Sequence, residues 1–501
     1  MKIVVKGSIL VFSSVLMSYV IAFARRLVIV RALSTADYGI FALAISIVSL
    51  GIVISELGLK DGAQRFVALH RGRGDLERAK GTVYGTAILF TVAAVVTTAA
   101  LMSSSGAVSS LLDKPELNRA LFLLAFLLPI WGATELIVAC YQGFEIVAPK
   151  VIFDSIGRSL LSTVAVVVAA LLFNTLHALV LAFVLGNALT LAALVVYMHY
   201  RRFPGLTHIK PRLEIRKLLL FSLPLAVGGF AGQIMHQTDT VMLGYFGTAR
   251  QVGIYNAAVP LHDLLPVFMV AAGFMYAPVA ARMIGEGKDD ELRALYLSLT
   301  KWLIMFTLPA GIILLFYPSE ILRLLFGVRY VGAAYVLQVL VVGGLVRAVV
   351  GLNVTTLIAY GKSTLTMLDT VSFAILNIVL NLLLIPRYGI NGAAIATTAS
   401  LITGGIVVSG QVYYFYRIQP IDKNCIKPIL ASLPALIALY YPLKAALRLT
   451  LWILPFYYFL FLAVSIGAVI VTRSLETTDR VLYRALRQRL LATLPGKWKR
   501  L

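Results

Sequence analysis

The chain is poor in charge. Only 13% of its 501 residues are Asp, Glu, Lys or Arg, about half of the ~25% usual in globular domains. So few charges cannot cover the surface of a water-soluble chain of this length, which excludes the soluble enzyme classes and leaves lipid as the solvent for the apolar excess. Cysteine is almost missing. Cys140 and Cys425 are the only two, they follow no metal or redox spacing, and they supply neither a disulfide framework nor a zinc site. The six histidines are dispersed, without a His-x-x-x-His pair or a grouping with carboxylates at ligand spacing, so no metal centre is expected. Long loops are lacking as well. The longest segments between apolar blocks run to about twenty residues, too short for a catalytic domain.

Hydrophobic residues, at 60%, fall in blocks of span length near residues 7–31, 38–58, 82–102, 120–140, 151–173, 177–200, 218–246, 253–280, 302–316, 331–358, 364–385, 391–416, 427–442 and 449–472. None alternates with the period of a membrane β-barrel, and a span needs ~20 apolar residues. The reading is an all-α polytopic membrane protein with about fourteen transmembrane helices. Lys2, Lys6, an apolar stretch and Ala22-Phe23-Ala24 imitate a cleavable signal peptide, but the stretch is longer than a signal core and apolar sequence resumes at Leu27, so it is taken as the first span.

Basic residues outnumber acidic ones 44 to 22. With the N-terminus inside, 32 of the Lys and Arg fall in cytoplasmic segments and 9 on the other face; the positive-inside rule then places both termini in the cytoplasm of a cell membrane. This asymmetry accounts for the net charge of +22 through anionic membrane lipids, with no nucleic acid. Residues Thr478–Leu494 set Val481, Leu482, Ala485 and Leu486 at helical spacing between Arg480, Arg484, Arg487 and Arg489, a basic amphipathic tail suited to the inner surface.

The chain repeats itself weakly at an offset of 214 residues. Tyr38-Gly39-Ile40-Phe41 recurs as Val252-Gly253-Ile254-Tyr255, and Asp75, in Gly74-Asp75-Leu76-Glu77-Arg78-Ala79, falls on Asp289 in a similar acidic and basic loop. A repeat of six spans inserts both copies in the same orientation, related by a pseudo-two-fold axis along the membrane normal. The expected organisation is an N-terminal lobe (1–200), a basic linker (201–217), a C-terminal lobe (218–417), two further helices (427–472) and a basic tail (473–501).

Two motifs are decoys. Gly361-Lys362-Ser363-Thr364 resembles the end of a phosphate-binding loop, but Thr356 stands where the first glycine belongs and no strand precedes it, so it reads as a turn. Asn353-Val354-Thr355 matches a glycosylation acceptor but lies within a span.

Ionised groups in the bilayer core cost at least ~2.5–3.5 kcal/mol and mark functional sites. Arg25, Arg26, Glu135, Asp239 and Arg347 form the deepest set. The 214 offset carries Arg25 to Asp239 and Arg347 to Ala133, two residues from Glu135, so related helices bear opposite charges that could pair. Arg26 can also snorkel to headgroups; Arg347, ~21 Å into its span, cannot. Asp263, Asp369, Asn377 and Asn381 are further candidates, and for the two asparagines interhelical hydrogen bonding is the competing reading. Pro224 with Gly228, Gly229 and Gly232 marks the seventh span either as easily bent or as closely packed.

Three stretches carry a resemblance: Arg31-Ala-Leu-Ser-Thr-Ala-Asp-Tyr-Gly39; Ser222-Leu-Pro-Leu225 with Asp239-Thr-Val-Met-Leu-Gly244 and Gly253-Ile-Tyr255; and Asn381-Leu-Leu-Leu-Ile-Pro-Arg-Tyr-Gly-Ile-Asn-Gly-Ala-Ala-Ile-Ala-Thr397. On these residues the chain resembles the multidrug/oligosaccharidyl-lipid/polysaccharide exporter superfamily, in its polysaccharide-transporter branch of Wzx-like O-antigen flippases, over about residues 1–472. The resemblance implies two six-helix lobes and export, without catalysis, of a polyprenyl-pyrophosphate-linked oligosaccharide by alternating access, with a cationic cavity mapping to Arg25 and then to Arg26 and Arg347. Phe23-Ala24-Arg25 is also similar to the first helix of the lipid II flippases, from which this chain departs after its second span. Coupling to a Na+ or H+ gradient and partnership with a glycan polymerase or glycosyltransferases are further implications. The rival functions are a cation-coupled multidrug exporter, which would favour a carboxylate-dominated cavity, and a membrane glycosyltransferase or polymerase, which would need a larger outer loop than 103–119.

Overall fold

A computed structural model of the chain describes residues 2–201, 203, 209–419, 422–446, 453–475 and 479. The basic tail from residue 480 onward lies outside the described residues. Secondary structure among the described residues is helical. Twelve of the stretches are long and apolar enough to cross a membrane, and this is a multi-pass membrane protein.

The helices run α1 (Lys2–Ala32), α2 (Thr35–Glu56), α3 (Leu59–Gly72), α4 (Leu76–Leu111), α5 (Pro115–Leu124), α6 (Leu127–Gly143), a π-helical segment at Lys150–Gly157, α7 (Arg158–Leu172), α8 (Leu176–Tyr200), α9 (Ile215–Phe246) and α10 (Ala249–His262). They continue with α11 (Val267–Gly285), α12 (Asp289–Phe316), α13 (Pro318–Leu325), a 3-10 segment at Val328–Ala333, α14 (Ala334–Val350), α15 (Leu352–Ala359), α16 (Ser363–Tyr388), α17 (Ile390–Tyr416), α18 (Lys423–Ala446) and α19 (Ile453–Val471). By contacts the chain divides into two compact units, residues 1–257 with 370–396 and residues 258–369 with 397–501.

Of the fourteen spans expected, two do not meet the criterion among the described residues. The expected eighth, 253–280, is broken into α10 and α11. Pro266 stands at the start of α11, where it lacks an amide donor and disfavours a helical residue before it. The expected thirteenth falls on α18, whose apolar core, Cys425–Leu439, is short of a full span. The signal-like N-terminus is one continuous helix through Ala22-Phe23-Ala24. Gly361 turns the chain in a left-handed conformation between α15 and α16, as expected of a decoy loop. Asn353 is fully buried and donates to Ser409 Oγ at 2.8 Å.

In the first unit, turn chemistry sets the breaks. Ser34 caps α2 by accepting from the Asp37 amide at 3.1 Å, and Asp75 caps α4 through the Arg78 amide at 3.0 Å. Between α2 and α3 the backbone of Leu57 and Gly58 is left-handed (φ 50° and 68°). A side chain at Gly58 would also come within 2.3 Å of the Ser222 carbonyl on α9. The break therefore redirects α3 without ending the apolar stretch, which runs from Thr35 to Gly72.

The two copies of the repeated motif meet. A Cβ added at Gly39 would lie 1.8 Å from the Ala249 carbonyl oxygen, and one at Gly253 would lie 2.0 Å from that of Thr35. The contact is reciprocal, backbone against backbone, and Tyr38 seals it by donating to the Asn256 carbonyl at 3.0 Å. Nearby, the buried Lys114 donates to the carbonyls of Leu112 and Gly244 and, at 2.9 Å, of Gly247; the last two belong to the end of α9. An ammonium here matches the negative pole of the helix, while desolvation lowers the pKa of Lys114.

In the second unit, α12 is enclosed by its neighbours, with Ile304 and Met305 packed against Val469 of α19. Lys301, 1% exposed, pairs with Asp479 and donates to the Ser474 carbonyl at 2.8 Å. Asp479 also accepts from Ser298 Oγ and from Trp302 Nε1 at 2.9 Å. This ties the chain after α19 to the side of α12.

Candidate functional site

Within the first unit, polar side chains from α1, α2, α3, α6, the π-helical segment and α7 converge. Lys60 of α3 donates to Glu135 of α6 at 2.7 Å. The other oxygen of Glu135 lies 3.3 Å from Arg158 at the start of α7. Arg158 also faces Asp154 at 3.6 Å, and Asp154 pairs with Lys150. Glu56, the last residue of α2, is within electrostatic reach of Lys60, Glu135, Asp154 and Arg158, and its Oε1 is buried without a hydrogen-bond partner.

The π-helical segment makes this ladder possible. Its wider turn keeps residues four to five apart on one side, so Lys150, Asp154 and Arg158 line up. Gly157 at its end leaves room for the Ile152 carbonyl, which a Cβ would approach to 2.5 Å.

Arg25 joins the network from α1. Its Nη1 donates to Ser162 Oγ at 2.5 Å, and Ser162 donates to the Arg158 carbonyl. The guanidinium lies 4.9 Å from the centre of the Phe183 ring, and that of Arg158 lies 5.8 Å from Trp131. Phe183 and Trp131 meet edge to face at 6.0 Å, and Trp131 Nε1 donates to Asn187 at 2.7 Å. The aromatic wall thus gives both guanidiniums a cation–π surface that replaces part of their hydration.

Four cations (Arg25, Lys60, Lys150, Arg158) face three carboxylates (Glu56, Glu135, Asp154). The network is not sealed. The side chains of Lys60, Glu135 and Arg158 are 39%, 20% and 31% exposed, so an anion entering from the accessible side could compete with Glu135 for its cations.

The other expected site residues are placed as follows. Arg26 is half-buried beside Arg25. Arg25 and Asp239 are not partners: the charged neighbours of Arg25 are Arg26 and Arg158, while Asp239 of α9 accepts from Tyr255 Oη at 2.5 Å and from Asn381 Nδ2 at 2.8 Å. Asn381 also donates to the Asn377 carbonyl at 3.0 Å. Asp239, Asn377 and Asn381 are therefore one cluster, buried to 7%, 0% and 0% exposure, and the Oδ1 of Asn381 has no partner. In the second unit, Arg347 has Asp263 as its charged neighbour; Asp263 also lies 3.4 Å from His262. Asp369 accepts from Gln411 at 2.9 Å. Among the described residues no group of three or more His, Cys, Asp or Glu is placed to hold a metal ion.

Glu56, Lys60, Lys150, Asp154 and Arg158 were missed by the sequence reading: Lys60 and Lys150 lie just outside the apolar blocks, and Glu56, Asp154 and Arg158 lie near the ends of theirs, where a charge is expected to reach the interface. Two signals were available. The Lys150, Asp154, Arg158 series has the i, i+4, i+8 spacing of one helix face, and apolar sequence continues beyond Lys60 into α3.

Residues 4–284 match the model of a family described as polysaccharide biosynthesis protein, and the chain belongs to that family. Residues 224–383 also match the MatE model. Among relatives, the chain is 23% identical over 397 residues to a Shigella flexneri protein named as an O-antigen transporter, covering 75% of this chain and 90% of that one. It is 25% identical over 235 residues to a Haloferax volcanii protein named as a low-salt glycan biosynthesis flippase, covering 46% and 49%. Of solved structures, the lipid II flippase MurJ in an inward closed conformation aligns with a TM-score of 0.71 at 14% identity, over 95% of this chain and 99% of that one. An inward-facing multidrug resistance transporter of the MATE family aligns with a TM-score of 0.69 at 17% identity, over 82% and 98%. The fold is that of the multidrug/oligosaccharidyl-lipid/polysaccharide exporter superfamily.

Proposed function

We propose that this protein is a flippase that moves a polyprenyl-pyrophosphate-linked oligosaccharide from the inner to the outer leaflet of the cell membrane, for the synthesis of a surface glycan, with both termini in the cytoplasm. The observation that carries this reading is the half-open ionic network. A pyrophosphate brought into the membrane must exchange its hydration for cations, and arginine offers a planar fork matched to phosphate oxygens. Here Arg25 and Arg158, with Lys60 beside them, are held ready by Glu135 and by aromatic faces. Cargo binding then trades one set of anions for another, which avoids stranding a buried charge.

In this reading Glu135 is the internal placeholder, releasing Lys60 and Arg158 as the pyrophosphate arrives and recapturing them when it leaves. Movement between leaflets is alternating access without catalysis. Gly232 has no neighbouring atom within 4 Å of an added Cβ, and Gly229 meets only Val53 at 3.7 Å. Neither glycine is required by packing, which supports their role as bending points of α9 beside Pro224. The excess of cations over carboxylates favours an anionic cargo over the cationic substrates of a drug exporter.

Coupling to a Na+ or H+ gradient is assigned to the Asp239 cluster. A sealed carboxylate with carboxamide oxygens, one of them unpartnered, is a hard-oxygen donor set suited to a small cation or a proton. The polymerase or glycosyltransferases acting on the same lipid, and anionic membrane lipids, are the expected partners.

Deletion of the gene tests the function. The flippase reading expects lipid-linked glycan to accumulate in the inner leaflet, with restoration by the wild-type chain and not by an Arg25→Ala, Arg158→Ala double variant. Undisturbed export of surface glycan in the deletion strain, together with sensitivity to toxic cations, would instead support a drug exporter.

A further inference from the structure

Away from the ionic network, a buried lysine ties the two copies of the repeated motif together at the end of the first unit opposite the basic loops. α4 has 36 residues and so carries the chain ~54 Å, from the basic turn at Arg73 to the turn at Asp113 and Lys114. Lys114 is 7% exposed, and its ammonium has three protons for three carbonyls. One carbonyl, that of Leu112, belongs to its own turn. The other two, of Gly244 and Gly247, end α9 in the other half of the sequence, where an ammonium suits the helix's negative pole.

What Lys114 holds is pressed against α2. Gly244 of α9 fits Leu43 of α2, whose Cδ1 would lie 2.6 Å from an added Cβ. α10 comes with α9, because Asn256 donates to Thr240 at 3.2 Å and Tyr255 donates to Asp239. On α10, Gly253 meets Gly39 backbone to backbone, and the Asn256 carbonyl accepts from Tyr38 at 3.0 Å. Fixing the end of α9 therefore fixes α10 on α2 as well.

The contact is also one that can part. At Gly39 and Gly253 no side chains interlock, so the helices can separate without repacking a core. Lys114 borders a cavity of about 450 Å3 that is lined as well by Asp113, Glu116, Gly247 and Thr248. Asp113 and Glu116 are exposed, and Asp113 is already an electrostatic neighbour of the ammonium. An ammonium leaving the α9 carbonyls thus has a carboxylate and solvent to receive it, and the carbonyls have solvent, so separation strands no buried group.

We propose that Lys114 is the latch of this end of the protein. While it holds Gly244 and Gly247, α9 and α10 stay against α2 and the end is shut; its release lets them draw away and opens an exit for the cargo. Lys114 touches no cargo and acts through the end of α9, as a positioning residue for transport. The flippase reading supplies what passes the latch, and the latch itself rests on the contacts of Lys114.

The test is the distance between spin labels on Arg119→Cys of α5 and Arg250→Cys of α10, both exposed positions, read by pulsed electron paramagnetic resonance on the full-length protein in nanodiscs without cargo. The native Cys140 and Cys425 are buried and should take no label. With Lys114 intact, the shorter distance should dominate. Lys114→Met removes the charged donor from both α9 carbonyls and should raise the ratio of longer to shorter distance about tenfold. Lys114→Gln, which keeps two uncharged donors, should raise it less. Met305→Ala truncates the core of the second unit, lowering stability without touching this end, and should leave the ratio unchanged. No rise in either Lys114 variant, or an equal rise in Met305→Ala, would overturn the latch. Binding of undecaprenyl pyrophosphate to the same samples judges the cargo reading separately: failure of the unlatched and latched proteins alike to bind it would count against the cargo site and leave the distances to decide the latch.

Discussion

Two ionic clusters, one in each unit, differ in how far they are sealed. In the second unit, Lys301 and Asp479 are 1% and 3% exposed, and the carboxylate is further held by Ser298 and Trp302. In the first unit, Lys60, Glu135 and Arg158 are linked by comparable contacts but remain 20–39% exposed. A sealed pair cannot exchange partners without opening the bundle, so it fastens the chain after α19 in place. An open one can give up an internal anion for an external one. Exposure, more than the presence of an ion pair, separates a fastening from a network open to the proposed exchange.

Stranding a charge in the sealed pair should have the largest effect. Asp479→Ala leaves the Lys301 ammonium buried without its carboxylate and should cost about 3–5 kcal/mol, read as a large fall in the thermal unfolding midpoint in detergent. Adding Lys301→Met to Asp479→Ala should recover most of it. Next in size is Gly39→Leu. Its Cβ would sit 1.8 Å from the Ala249 carbonyl oxygen, so α2 and α10 must separate, at a cost of at least ~1–3 kcal/mol, measured by unfolding together with a transport assay. Gly39→Leu retaining wild-type stability would show that the crossing of the repeated motifs is not close.

Glu135→Gln sharpens the other half of the contrast. Because the cluster is partly solvated, its loss should change stability by less than ~1 kcal/mol. Pyrophosphate affinity should rise, since the internal competitor is gone, and turnover should fall, since release loses its driving anion. The smallest effect belongs to the loop before α9. Glu214, beside Lys217, Arg78 and His70, has its pKa lowered chiefly by its hydrogen bond with Lys217. A depressed carboxylate contributes stability above its unfolded pKa, near 4.5, and loses it as pH falls through the lower folded value. That contribution is at most a few tenths of a kcal/mol at this half-buried, solvent-screened position. Glu214→Gln should therefore leave unfolding at neutral pH nearly unchanged and slightly flatten its dependence below pH 4.5.

The helical membrane fold was legible because apolar block length is a direct readout of bilayer thickness. The weak repeat also told something physical: Gly39 and Gly253, matched by offset alone, lie against each other. The site was only half legible. Arg25 and Glu135 announce themselves as charges inside apolar blocks, but Lys60 lies just past one block and Arg158 near the start of another, and only the left-handed break at Leu57 and Gly58 and the π-helical segment turn them inward. Asp239 and Asn381 were singled out separately, yet their contact spans 142 residues of sequence. No local pattern encodes such a pairing, which is why Asp239 was expected opposite Arg25. The break at Pro266 falls inside the block 253–280, which was read as one span from its apolar length alone.

The proposed role of the open network is to hand its cations to a phosphorylated cargo. It is tested most directly by the rate of polyprenyl-pyrophosphate-linked oligosaccharide flipping in proteoliposomes, compared among wild type, Arg158→Gln, Glu135→Gln and their double variant. Both single variants should flip slowly for opposite reasons, Arg158→Gln with weakened and Glu135→Gln with strengthened cargo binding, and the double variant should regain part of the affinity balance. Wild-type flipping and unchanged cargo affinity in all three variants would contradict it.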